Sequence, residues 1–294
     1  MITGVDAMAT TILVTGATGT IGSQVVSALK GRNEVTVRAA VRSAAKAEAL
    51  KGGNVTPVDF EYTNAEQMKK AVEGVEKLFL VTPFSQDQVD LAARLVDAAK
   101  AAGVKHIVKL SAMGVDFEGG IQLGRWHRTV ERYILGSGLK YTFLRPNNFM
   151  ENFVGYYPPG KDGNIYLPWG QGACSFIAGA DVAAVAATAL TSDGHENKGY
   201  ELTGPEAFTI AQAAASIGEV SGRKVSYVDV PEAAANKAML DMGMPAWMVD
   251  GMMELHAINK AGYAAQVTDT VQKVTGRAPM SFAQFAKQHA AAWK

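Results

Sequence analysis

The sequence is poor in the features that mark disulfide-stabilised proteins, zinc proteins and membrane proteins. Among its 294 residues it has one cysteine, Cys174, so an internal disulfide cannot form and a reducing compartment fits. No cluster of Cys and His residues has zinc-site spacing, and we expect no bound metal. The longest nearly uncharged run, residues 174–190, contains Asp181 and falls short of the ~20 strongly apolar residues of a spanning helix. We therefore expect a cytoplasmic protein that does not enter a membrane.

The chain also lacks an excess of charge of either sign. Lys plus Arg number 28 and Asp plus Glu number 28, so no overall field favours nucleic acid, an anionic membrane or an acidic partner. We expect a small-molecule ligand, no nucleic-acid partner, and a monomer or homodimer. Residues 1–11 carry an acid but no basic segment, unlike a secretory signal, and we expect them to be a disordered leader.

The first half of the chain alternates short β-branched apolar segments with alanine-rich segments of helical period. Strands are predicted at residues 12–15, 35–41, 55–59, 77–82, 106–111 and 141–146, and helices at 20–30, 43–51, 64–73, 87–102 and 123–137. Strands this apolar are covered on both faces. The predicted fold class is therefore α/β, a Rossmann-like doubly wound parallel sheet.

This alternation stops after about Asn147, where glycine, proline and aromatic residues crowd positions 151–172. A predicted helix at 181–192 and a strand at 199–204 then return the chain to the sheet. The predicted division is therefore discontinuous. It gives a nucleotide-binding domain of residues 12–150 plus 178–204 and a smaller, mostly helical, substrate-binding domain of residues 151–177 plus 205–294.

A glycine-rich turn lies between the first predicted strand and the first predicted helix. Gly16, Gly19 and Gly22 follow a GxxGxxG spacing. Such a turn lets the backbone approach a pyrophosphate, and the helix N-terminus supplies unpaired N–H groups. No Lys-Ser or Lys-Thr pair follows the last glycine, as an NTPase loop requires. The turn therefore predicts a dinucleotide site.

The end of the second predicted strand indicates which dinucleotide is bound. An acid about 20 positions after the glycines would hold a ribose 2′-hydroxyl, whereas an arginine accommodates a 2′-phosphate. Arg42 stands there with Lys46 nearby and no acid, which predicts NADP(H). Asp59 and Phe60, at the end of the third strand, either flank the adenine or form a simple strand-to-helix turn.

Six segments of the chain stand out: TGATGTIG (15–22), VRAAVRS (37–43), TPF (82–84), KLSAMG (109–114), WHRTVERYILGSGLKYTFLRPNNFMENF (126–153) and TGRAPMSFAQFA (275–286). Together these segments resemble the NmrA-like atypical short-chain dehydrogenase/reductase family, and in particular its bacterial reductases of triphenylmethane dyes, quinones and azo compounds. The resemblance implies NADP(H) in a Rossmann-like domain and a cleft under a small C-terminal domain.

The resemblance also implies which residues bind the cofactor. Those on the pyrophosphate would be Gly16, Thr18, Gly19, Thr20 and Ile21, with Arg42 on the 2′-phosphate. Those on the nicotinamide half would be Thr82, Pro83, Phe84, Pro146, Asn147, Asn148 and Phe149. The candidate substrate residues are Phe84, Met113, Asn148, Phe149, Phe153, Trp169 and Trp247. The aromatic residues of the irregular segment, Phe153 and Trp169 among them, form either a pocket wall or interdomain core.

The tyrosine and lysine that typical short-chain dehydrogenases use for proton transfer are not at their usual positions, which hold Leu123 and His127. The only YxxxK, Tyr157 to Lys161, encloses Pro-Pro-Gly and cannot form a helical turn. Direct hydride transfer to an acceptor that needs no enzymic acid is therefore predicted, to a quinone, a triphenylmethane dye or an azo compound.

His127 and Ser111 are the catalytic candidates. His127 and Glu131 are spaced i, i+4 on one predicted helix. His127 either contacts the nicotinamide ribose or donates a proton to substrate, or else the two residues form a surface ion pair. Ser111 stands where the family's catalytic serine lies, and without the tyrosine it is either catalytic or a polar strand end near the cofactor. The alternative functions are a non-enzymatic NADP(H) sensor that binds a protein partner, and an auxiliary oxidoreductase of aromatic secondary metabolism.

Overall fold

The computed structural model describes residues 9–42, 47 and 50–294. The strands are β1 (Thr10–Val14), β2 (Val35–Val41), β3 (Val55–Asp59), β4 (Lys77–Leu80), β5 (His106–Leu110), β6 (Lys140–Pro146), β7 (Asn164–Leu167), β8 (Ala173–Cys174), β9 (Lys198–Leu202), β10 (Phe208–Thr209) and β11 (Ser226–Asp229). The helices are α1 (Thr20–Leu29), α2 (Ala65–Val72), α3 (Gln88–Ala101), α4 (Gln122–Ser137), α5 (Asn152–Gly155), α6 (Gly179–Thr191), α7 (Ile210–Ser221), α8 (Glu232–Asp241), α9 (Ala246–Lys260), α10 (Thr270–Thr275) and α11 (Phe282–His289).

The chain divides into two compact units, each assembled from separate stretches. The first unit holds the described residues up to Ser111, with Trp126–Leu144 and Ala183–Tyr200. The second unit holds Ala112–Arg125, Arg145–Val182 and Glu201–Lys294. The prediction placed residues 112–125 with the nucleotide-binding domain, whereas the structure groups them with the second unit. The chain otherwise passes from one unit to the other after residues 144, 182 and 200. The predicted boundaries were after residues 150, 177 and 204.

The sheet of the first unit has the strand order β3-β2-β1-β4-β5-β6-β9. The pairs from β3 through β6 are parallel, and Val14 at the end of β1 lies opposite Ala39 of β2 and Phe79 of β4. The order reverses between β1 and β4, which is the switch point where open α/β sheets bind ligands. The predicted doubly wound α/β fold is confirmed. Since β1 begins at Thr10, the last two residues of the predicted leader belong to the sheet.

The apolar strand sequences explain why this sheet is central. The side chains of β1 and β4 that have no exposure to solvent are Ile12, Leu13, Val14, Leu78, Phe79 and Leu80. Each contributes about 1.5–3 kcal/mol on burial, which favours a sheet covered on both faces. The helix predicted at 43–51 lies mostly outside the described residues. No helix in the described part of the chain is long and apolar enough to cross a membrane.

The second unit combines helices with two short sheets. Strands β7 and β11 pair in parallel, and β8 pairs antiparallel with β10. Capping boxes at Thr209 and Ser281 begin α7 and α11, because each hydroxyl accepts a backbone N–H that the helix itself leaves unpaired. The aromatic core of this unit is formed by Phe153, Trp169, Phe176, Phe208, Phe282, Phe285 and Trp293.

Candidate functional site

The turn between β1 and α1 has a geometry that requires glycine at two of its three positions. Gly16 has a φ of +62°, in the left-handed region that favours glycine. A Cβ atom at Gly22 would lie 2.1 Å from the carbonyl oxygen of Gly16, which no side chain tolerates. At Gly19 the nearest atom to such a Cβ would be the same oxygen at 3.3 Å. The close packing at Gly22 therefore serves the turn itself, while Gly19 leaves room beside it.

Helix α1 begins directly after this turn. Its N-cap is Gly19, and no side chain among the described residues caps the helix. The first N–H groups of a helix have no partner within it and carry partial positive charge. An uncapped N-terminus that follows glycines without side chains fits the pyrophosphate of a dinucleotide.

The segment after β4 is held against the end of β1. The Thr15 hydroxyl donates to the Phe79 carbonyl at 3.1 Å and accepts from the Val81 N–H at 2.8 Å. The Tyr62 hydroxyl donates to the Val81 carbonyl at 2.6 Å. These bonds fix the start of the segment Thr82, Pro83 and Phe84, and the Phe84 side chain is 52% exposed. An exposed apolar ring therefore lies on the segment that follows β4, three residues after Val81.

A cavity of about 610 Å³ lies at the carboxyl ends of β2 and β3. Arg42, Asp59, Phe60 and Asn64 are among the residues that line it. Asn64 also caps α2, since its side-chain oxygen accepts from the Gln67 N–H at 3.1 Å. The three residues predicted at the adenosine end, Arg42, Asp59 and Phe60, thus share one cavity. Lys46, also predicted there, lies outside the described residues.

Four polar side chains meet where β5 ends against α4, and we call them the β5–α4 polar cluster: Lys109, Ser111, His127 and Glu131. The Ser111 hydroxyl donates to the Glu131 Oε1 at 2.5 Å, and both residues are buried. The Lys109 Nζ lies 2.9 Å from the His127 Nδ1 and donates to the Leu110 carbonyl at 3.0 Å. Burial, reinforced by the Lys109 charge, lowers the pKa of His127 well below its ordinary value.

This geometry corrects the interpretation of His127 and Glu131 as a surface ion pair. Glu131 is buried and accepts from Ser111, while the His127 ring contacts Lys109 instead. Sequence reasoning missed Lys109, which is completely buried. The available signal was its position in HIVKL, a strand apolar on both faces, where a lysine cannot reach water.

The predicted nicotinamide residues after β6 are held by hydrogen bonds within the second unit. The Asn147 side-chain amide donates to the Ser175 hydroxyl and to the Ala264 carbonyl, both at 2.8 Å. The Asn148 amide donates to Asn259 Oδ1 at 3.2 Å. The backbone of Phe149 forms an isolated parallel β-bridge with the backbone of Ile177. These contacts fix the conformation of this segment, and its role at the nicotinamide stays a prediction.

Two of the predicted substrate residues are core residues. Phe153 is completely buried and Trp169 is 1% exposed, both in the aromatic core of the second unit. The pocket-wall interpretation of these two side chains is wrong, because neither presents a surface that a ligand could touch. Met113 and Trp247 are partly buried in the same unit, and their contact with substrate stays a prediction.

Tyr157 is surrounded in a way that does not suit acid or base chemistry. Residues 158–160 are not helical, as Pro-Pro-Gly predicts. The Tyr157 hydroxyl accepts from the Asn152 side-chain amide at 3.0 Å, and burial raises the pKa of Tyr157 far above its ordinary value. A phenol of this kind neither gives up nor takes a proton readily near neutral pH.

Comparison with known proteins agrees with this architecture. The NmrA-like family matches residues 8–285. The NAD(P)H azoreductase of Xenophilus azovorans is 43% identical over 283 residues, which cover 96% of this chain and 99% of that protein.

Two solved structures are also similar. The Escherichia coli NADPH-dependent quinone oxidoreductase in complex with NADPH has a TM-score of 0.84 and 31% identity, covering 95% of this chain and 98% of that chain. The Citrobacter sp. triphenylmethane reductase complexed with NADP(H) has a TM-score of 0.83 and 28% identity, covering 95% and 99% of the two chains. The chain therefore belongs to the NmrA-like family.

Proposed function

We propose that this protein is an NADPH-dependent reductase that passes a hydride directly to a conjugated acceptor of the azo, quinone or triphenylmethane class. The observation that carries the proposal is the set of features at the carboxyl ends of the strands in the first unit. There the glycine turn, the uncapped α1 N-terminus and the Arg42 cavity follow the ends of β1, β2 and β3. The similarity to an azoreductase, a quinone oxidoreductase and a triphenylmethane reductase supports this acceptor class.

The residues at these strand ends bind and orient the cofactor, which supplies the hydride when bound. The absence of a side chain at Gly19 makes room for the pyrophosphate against the α1 N–H groups, while Gly16 and Gly22 allow the turn to form. Arg42 holds the 2′-phosphate, and Phe84 offers an apolar face beside the reacting end. Hydride transfer to a quinone or a triphenylmethane cation requires mainly proximity and exclusion of water. The partly buried phenol of Tyr157 is not needed for this step.

Replacing Arg42 by alanine should weaken NADPH binding and leave NADH binding nearly unchanged, because only NADPH carries the 2′-phosphate. A charge-assisted hydrogen bond contributes ~1.5–3 kcal/mol, so NADPH affinity should fall about tenfold or more. Titration calorimetry with both nucleotides measures the two affinities. Arg94→Ala removes an exposed arginine from α3 and is the control. Equal affinities of the wild-type protein for NADPH and NADH would contradict the assignment of Arg42.

The function itself is tested by NADPH oxidation in the presence of azo dyes, quinones and triphenylmethane dyes. Reduction of at least one class is expected. NADPH deuterated at the transferred position should give a primary isotope effect when chemistry limits the rate, and Tyr157→Phe should retain nearly all turnover. A protein that binds NADPH but reduces none of these acceptors would be a sensor rather than a reductase. Loss of turnover in Tyr157→Phe would instead identify Tyr157 as a proton donor.

A further inference from the structure

The lysine of the β5–α4 polar cluster stands in surroundings where a lysine is rarely found. Lys109 has no exposure to solvent. A buried ammonium group is costly unless opposite charge and hydrogen bonds compensate it. The same cluster contains the buried carboxylate of Glu131, one helical turn after His127 on α4. Ser111, two residues after Lys109, donates to that carboxylate. The cluster thus brings the buried side chains of Lys109 and Glu131 to the same end of β5, each hydrogen-bonded to another member of the cluster.

The contact between Lys109 and His127 fixes where the imidazole proton resides. An ammonium group has three donors and no acceptor. The His127 Nδ1, 2.9 Å from the Lys109 Nζ, therefore accepts a hydrogen bond, and the ring proton lies on Nε2. Burial and the Lys109 charge lower the pKa of His127, so the ring is neutral at pH 7. His127 is thereby a donor through Nε2 alone.

The cluster lies at the edge of the sheet where the cofactor is proposed to bind. Strand β5 is the neighbour of β4, and Leu80 of β4 lies opposite Lys109. The segment that follows β4 carries Phe84. The carboxyl ends of both strands therefore lie at the same edge of the sheet.

We propose that Lys109 is a positioning residue that fixes the His127 tautomer and supplies, through His127, the proton that azo reduction needs. The inference rests on the proposed function. A hydride from NADPH adds to one nitrogen of the N=N bond, and the π electron pair moves to the other nitrogen. That nitrogen takes the Nε2 proton of His127 while the Lys109 Nζ gives a proton to Nδ1. The azo compound becomes a hydrazo compound and NADPH becomes NADP⁺. After the product leaves, a solvent proton reaches Lys109 through the partly exposed ring of His127.

We call the proton transfer from Lys109 through His127 the relay. Reduction of azo compounds requires the relay, whereas reduction of quinones does not. A nitrogen anion formed without a proton donor is strongly basic, so protonation has to accompany hydride addition. Hydride addition to a quinone leaves a phenolate, which is stable and takes its proton from water. The ratio of azo to quinone turnover therefore reports the relay separately from cofactor binding.

The tautomer is tested by NMR of the imidazole nitrogens in the wild-type protein near pH 7. The chain has five histidines, and loss of one signal in His127→Gln assigns the ring. A neutral ring protonated on Nε2 is expected. A ring protonated on Nδ1, or a charged ring, would overturn the inference. This measurement requires no turnover, so its outcome stands apart from that of the proposed function.

The relay is tested with the Lys109→Met variant, using methyl red and 1,4-benzoquinone as acceptors. The azo-to-quinone ratio of kcat should fall about 100-fold, within the range of a positioned general acid. Lys105→Met, which removes an exposed lysine just before β5, should leave the ratio unchanged. Equal losses with both acceptors would show a merely structural role and overturn the inference. If Lys109→Met does not fold, the NMR measurement of the His127 tautomer in the wild-type protein tests the inference instead.

Discussion

Replacing Gly19 by valine is expected to abolish NADPH binding while the protein stays folded. Gly19 has φ −85° and ψ 175°, an extended conformation that any residue adopts. A Cβ there would meet the Gly16 carbonyl oxygen at 3.3 Å, which a small shift relieves. The valine methyl groups would then occupy the space that the pyrophosphate needs. Titration calorimetry measures binding, and circular dichroism measures the fold.

Gly22→Ala is the matched variant with the opposite structural consequence. Its single methyl group would lie 2.1 Å from the Gly16 carbonyl oxygen, so the turn cannot form as it stands. We expect a lowered melting temperature together with lost binding. Retained NADPH binding in Gly19→Val would remove the turn from the cofactor site. Wild-type stability in Gly22→Ala would contradict the packing between the start of α1 and the turn.

Replacing Trp169 by alanine should lower the free energy of unfolding by about 3–5 kcal/mol, the usual cost of truncating a buried aromatic side chain. The indole stacks on Phe176 with ring centroids 5.8 Å apart, and its Nε1 donates to the His256 Nδ1 at 2.7 Å. Burial lowers the pKa of His256 to about 4, so this ring is neutral and accepts the bond. Urea unfolding of the variant and the wild-type protein measures the loss.

Trp169→Phe distinguishes a role of Trp169 in core packing from a role in binding the electron acceptor. It keeps a ring against Phe176 and loses the hydrogen bond to His256, at a cost of about 1–3 kcal/mol for the buried acceptor. Because Trp169 lies in the core, KM for the electron acceptor should not change in Trp169→Phe. A raised KM in a variant of near wild-type stability would return Trp169 to the pocket wall.

The central sheet was predictable because its signal is local. Strands β2 and β3 have the predicted bounds, because each is a short segment rich in valine and threonine. The two-residue strands β8 and β10 were not predicted. Each exists only because it pairs with the other, which is distant along the chain. The assignment of residues 112–125 to the second unit likewise depends on tertiary contacts that no short stretch encodes.

The candidate site also contains some features that the sequence predicted and others that it did not. The glycine turn was recognisable because its steric demands lie within seven residues of sequence. Lys109 was missed because lysine is almost never fully buried, although the apolar strand HIVKL that contains it indicated burial. Phe153 and Trp169 were assigned to a pocket because an aromatic residue in an irregular segment has no periodicity to tell a core position from an exposed one.

The interleaving of the two units constrains how the chain can fold during synthesis. The edge strand β9 of the first sheet is synthesised only after residues 145–182 of the second unit. Until then β6 is an open edge whose backbone groups can pair with another chain. A fragment ending at residue 150 would keep that edge permanently. Because each unit is assembled from separate stretches, no single cut in the polypeptide separates one unit from the other.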